Sequence, residues 1–95
     1  MKKFGSDNLP VFICSHIFKN TRPILFVSRA GGDWQFLCGE NHEINENPNI
    51  VHIGHLIERD PTLNEIADLP VNWEAERTGV GEQWVKMKCI NYAYN

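Results

Sequence analysis

Four histidines and three cysteines are the residues of this 95-residue chain best suited to holding a metal or attacking a substrate. Cys14-x-His16 would place both side chains on one face of a strand, and His52-x-x-His55 would place its two on opposite faces. Structural zinc sites draw close Cys or Cys/His pairs from two turns into a tetrahedral set. The chain offers no second pair of that kind, so neither a metal nor any other cofactor is expected.

Nucleophilic catalysis requires an activated Cys or Ser with a base in reach and a third group to orient the base. Cys14 or Cys38 could be matched with His42 or His55, but both cysteines fall in apolar strand-like runs, where burial raises a thiol pKa. There is no G-x-S-x-G elbow, and no cysteine is expected at a helix start. Glu74-x-Glu76 would share one strand face with Arg77 pointing the other way, an arrangement that reads as an exposed face more readily than as an acid/base pair. Gly31-Gly32 and Gly79-x-Gly81 sit between strands and not before helices, so they shape turns and do not cradle phosphate. No catalytic residue is assigned.

The elements that must position these side chains follow from the apolar pattern. Val11–Phe18 is apolar, β-branched and aromatic on both alternating faces, which predicts a central strand. Pro23 opens a second run, Ile24–Arg29, expected to pair with the first as a hairpin. Ala30-Gly31-Gly32-Asp33 is a tight-turn signal, and Trp34–Cys38 should follow as the third strand of an antiparallel meander. Glu40–Asn49 has the composition of a loop, and Ile50–Ile57 resumes strand character with Gly54 as a weak point. Asp60-Pro61 starts a short helix whose stripe is Leu63, Ile66 and Ala67, and Pro70 stops it. Trp73–Arg77 and Gln83–Cys89 form a second hairpin. The expected fold class is α+β: an antiparallel sheet of about five to six strands built from hairpins, with one short helix packed on it. Residues 10–90 form the single domain, flanked by tails at 1–9 and 91–95.

Composition agrees with one globular core: 42% hydrophobic, 11% aromatic and 22% charged. A chain of this length buries about 60–68% of the surface that its unfolded form exposes. No apolar run reaches the roughly 18 residues a membrane span needs, and no signal-peptide stretch follows Lys2 and Lys3, so a cytoplasmic location without membrane contact is expected. Three widely spaced cysteines suit free thiols used as small core residues better than a disulfide framework.

Charge is unevenly spread. Residues 1–30 hold five bases against one acid, whereas residues 40–76 hold nine acids against one base. Phosphate would be repelled from the acidic block, which argues against nucleic acid as the partner and for something basic. Of three tryptophans, Trp34 and Trp84 suit the core, and Trp73 stands between core and contact. The candidate binding residues are Trp34, Glu40, Glu43, Glu46, Trp73, Glu74 and Glu76.

The run Asp33-Trp34-Gln35-Phe36-Leu37-Cys38-Gly39-Glu40 resembles the tryptophan-x-phenylalanine-x-x-glycine-x-glutamate signature of a small bacterial immunity family of polymorphic toxin systems, first described as a domain of unknown function, with Glu40 here directly after the glycine. A helix from Asp60-Pro61 to Leu69-Pro70 and a final strand pair are similar in order, so the likeness spans residues 10–88. The acidic insert that precedes the tryptophan in that family is replaced here by Ala30-Gly31-Gly32. The resemblance implies a neutraliser that binds a toxin effector, here a basic toxin domain captured by the acidic surface. Two other readings stand beside it. One is a small enzyme or ligand-binding protein with His52, His55, Glu74 and Arg77 around a pocket between sheet and helix. The other is a homo-oligomeric module paired through an exposed strand edge.

Overall fold

A computed structural model of the chain describes residues 3–39 and 48–89. Six strands form one open mixed sheet in the order β4-β1-β3-β2-β5-β6, where β1 is Pro10–Ile13, β2 Phe26–Ser28, β3 Gln35–Leu37, β4 Asn49–His52, β5 Trp73–Glu76 and β6 Val85–Lys88. Helices are short: α1 is Ser15–Phe18, α2 is Ile53–Arg59, and a 3-10 helix runs over Pro61–Ile66. The α+β class and the six strands match expectation.

The expected first hairpin does not form. β1 ends at Ile13, extended Cys14 caps α1, and the Phe18 amide donates to the Cys14 carbonyl at 2.9 Å. The turn buries Ile17 completely and leaves Phe18 exposed. An apolar run this short fits a strand or a buried helical turn equally well, and tertiary burial of Ile17 decides between them. Asn20, at a φ of 57°, then redirects the chain. The result is that β3 inserts between β1 and β2. It runs parallel to β1, with Ile13 opposite Phe36, and antiparallel to β2, with Val27 opposite Phe36. The predicted Gly-Gly turn between β2 and β3 is present, with Gly31 and Gly32 at φ of 68° and 91°.

Ile50–Ile57 is likewise not one strand. β4 stops at His52, and Ile53, Leu56 and Ile57 take up helical spacing in α2 against the core. No side chain caps α2. Its first amides, Ile53 and Gly54, instead donate to the carbonyls of Leu9 and Asp7 at 2.8 and 2.9 Å. The segment before Pro10, expected as a tail, therefore packs on the domain, and Phe4 adds an edge-to-face contact with Trp34 at 5.1 Å.

Asp60 opens the next helix as predicted, its carboxylate accepting from the Thr62 amide at 3.0 Å. The helix is 3-10 and not α. Leu63, Ile66 and Leu69 recur every third residue, the 3-10 repeat, and all three are fully buried. The β5–β6 hairpin forms with Trp73 opposite Lys88 and Glu76 opposite Val85.

One sheet face carries the core. Val11, Ile13, Val27, Phe36 and Ala75 are buried there with Ile17, Ile53, Leu56 and the 3-10 helix residues in a single cluster. No helix of the described residues is long and apolar enough to cross a membrane.

Candidate functional site

The opposite face of the sheet is set by register. Phe12 lies opposite Ile50 and Gln35, Phe26 opposite Leu37 and Glu76, Ser28 opposite Glu74, and Glu74 and Glu76 opposite Met87 and Val85. Among these strand side chains only Ser28 is buried. Ile50 is 62% exposed and Val85 56%, and Phe12, Phe26, Leu37 and Met87 are half-buried. Among the described strand residues, the charged groups of this face are the carboxylates of Glu74 and Glu76, since the register turns Lys86 and Lys88 to the other side. Glu74 also meets a thiol. Burial pushes the Cys89 pKa up, a hydrogen bond from the thiol to Glu74 and that carboxylate's charge push it further, and Ser28 acts in the opposite sense.

The predicted binding residues divide. Glu74 and Glu76 stand together on this face. Trp73 is half-buried and packs against the core from the other side. Trp34 lies in the core: it is 7% exposed, stacks on Phe36 at 5.9 Å and carries the Arg29 guanidinium 4.8 Å from its ring centre. Glu40, Glu43 and Glu46, like His42, lie outside the described residues.

The side chains proposed to converge on a pocket are dispersed. His52 and His55 stack at 6.3 Å beside a concavity of about 310 Å³ that Asp7, Asn8 and Glu58 also line. β4, which carries His52, is separated from β5 by three strands. Arg77 is buried, with Nε and Nη2 donating to the Ile24 carbonyl at 3.0 and 2.8 Å, Nη1 to Thr62 Oγ1 at 2.8 Å, and Nη2 to the Asp60 carboxylate. Its guanidinium lies 4.3 Å from the Trp84 ring centre. Burial works to raise the Asp60 pKa, but hydrogen bonds from Thr62 and Arg77 and the guanidinium charge outweigh it and hold the carboxyl below its usual range. Arg77 thus ties the second hairpin to the 3-10 helix. A larger concavity of about 340 Å³ runs past this knot, lined by Asn20, Arg22, Arg59, Asp60 and Val80 among others, but the Arg59 guanidinium is committed to the Ile17 carbonyl and to Asn20.

Sequence reasoning missed a second cluster. Cys14 and Cys38 were expected mid-strand. They lie just past the carboxyl ends of β1 and β3, which the parallel pairing brings to the same edge of the sheet. His16, in the first turn of α1, completes a set whose three ligand atoms all lie within 4.8 Å of one another. Its Nδ1 is 3.3 Å from Cys38 Sγ. Both cysteines are buried, at 4% and 3% exposure, and His16 is half-buried. Gly39, at a φ of 81°, turns the chain away directly after Cys38.

Comparison of the chain with protein-family models, with curated proteins and with solved structures finds no match.

Proposed function

We propose that the chain is a non-enzymatic protein-binding domain whose partner is a basic protein seated on the open face of the sheet. The observation that carries this reading is the pairing of an exposed apolar strip, from Ile50 through Phe12 and Phe26 to Val85, with the two carboxylates of Glu74 and Glu76. Apolar side chains left half-exposed across a sheet mark interaction surfaces, and carboxylates among them select and steer a positively charged partner. The narrower reading, a neutraliser of a toxin effector, rests on the resemblance of Asp33–Glu40 to the immunity family. Within that block Trp34 and Phe36 support the core.

The test compares wild type with the Glu74→Lys/Glu76→Lys double variant as bait in lysate of the source organism at physiological salt. Each captured protein is then purified and titrated against both baits. The expected result is a basic protein that binds wild type, weakens as salt rises and is lost with the double variant. Equal binding to both baits, or a monomer with no partner, overturns the proposal. A dimer in light scattering that the substitutions leave intact would favour pairing of two copies instead.

A further inference from the structure

We propose that Cys14, His16 and Cys38 form a zinc site, with the fourth coordination position filled by a donor outside these three. The inference is independent of the partner face, since the three residues sit at the end of the β1–β3 pair and not on that face's strands. With Zn–S near 2.3 Å and Zn–N near 2.0 Å, tetrahedral ligand atoms stand about 3.5–3.8 Å apart. The observed spread of 4.8 Å or less therefore needs only a small contraction, of rotamers more than of backbone. The backbone is already fixed: Cys14 by the end of β1 and the start of α1, and Cys38 by the end of β3 and the left-handed turn at Gly39.

Charge and softness point the same way. Two thiolates and a neutral imidazole suit zinc over magnesium or calcium, which take oxygen donors. On binding, each thiol releases its proton to solvent, and the two thiolates neutralise the ion. A site with no net charge is the form that burial of both sulfurs tolerates. A thiol nucleophile would instead need substrate to reach Sγ, and Cys14 and Cys38 are almost wholly enclosed. Half-buried His16 gives the ion its way in.

The test uses the full chain, reduced and stripped of metal with a chelator, then titrated with zinc and, separately, with cobalt. One ion per chain is expected. Cobalt should give thiolate-to-metal charge-transfer absorption and the intense visible bands of a four-coordinate site, all erased by added zinc. Cys14→Ser and Cys38→Ser should each weaken zinc binding by more than the roughly 10–100-fold that loss of a supporting contact costs, while Cys89→Ser leaves it unchanged. A cobalt complex of the wild type without the charge-transfer band overturns the proposal and depends on no variant folding. So does Cys14→Ser binding zinc as wild type does, or a Cys14–Cys38 disulfide that persists in reductant.

Discussion

The Nδ1 atom of His16 lies 3.3 Å from the Sγ atom of Cys38, twenty-two positions further along the chain. That contact is a direct product of the parallel pairing of β1 with β3. An antiparallel neighbour of β1 would have begun, not ended, at this edge, and Cys38 would lie at the far side of the sheet.

The Arg77 knot sets the first prediction. Asp60→Asn leaves the guanidinium buried without its counter-charge, and removing one partner of such a pair costs about 3 kcal/mol or more. Urea denaturation at neutral pH should show a correspondingly lower midpoint with an unchanged slope.

Acid should act through the same pair. The Asp60 pKa is depressed in the folded chain, so its contribution to stability is complete above the ordinary aspartate value of about 3.9 and is lost as pH falls through the lower folded value. Thermal midpoints measured over that range should fall more steeply for wild type than for Asp60→Asn.

Gly54→Ala should destabilise the domain although its site is helical. A Cβ there would stand 3.0 Å from both the Cβ and the carbonyl oxygen of Asp7, and the loss, on the order of 1 kcal/mol or more, should appear as a lower thermal midpoint. When residues 1–9 are removed from both proteins, the Gly54→Ala variant should melt no lower than its glycine counterpart, because the obstructing backbone is gone.

Cys89 provides a chemical readout of the open face. Glu74→Gln removes the carboxylate charge that helps to raise the thiol pKa, so alkylation of Cys89 by iodoacetamide should begin at lower pH in the variant, as followed by peptide mass spectrometry. An unchanged pH profile would show that the Glu74 charge does not act on this thiol.

Trp34→Ala should unfold much of the population, at a cost of about 3–5 kcal/mol for a large core aromatic. Denaturation curves should separate it clearly from Glu76→Lys, which alters an exposed side chain and should change stability by no more than about 0.5 kcal/mol.

Local chemistry was legible in the sequence wherever a few adjacent residues decide the outcome. Asp60-Pro61 marked the helix start, Gly31-Gly32 the tight turn, and the alternation around Gly79-x-Gly81 the second hairpin. The spacing of Leu63, Ile66 and Leu69 also contained the 3-10 repeat, although an α-helical stripe through Ala67 fitted nearly as well. Strand order was not legible. Nothing in Ile13 or Phe36 states that they pair in parallel, because that choice follows from where α1 leaves the chain. The Cys14–His16–Cys38 cluster was hidden for the same reason, since its third member arrives on a strand expected elsewhere. The buried state of Arg77 was equally unreadable, because its acceptors include a backbone carbonyl, that of Ile24, which leaves no mark in side-chain pattern.

The bonds from Ile53 and Gly54 to Leu9 and Asp7 give the opening residues a structural duty far from their place in the chain. A protease that trimmed the protein at Pro10 would strip two amides of their acceptors and take Phe4 from beside Trp34. Damage at the amino terminus would then be felt as fraying of a helix more than forty residues downstream.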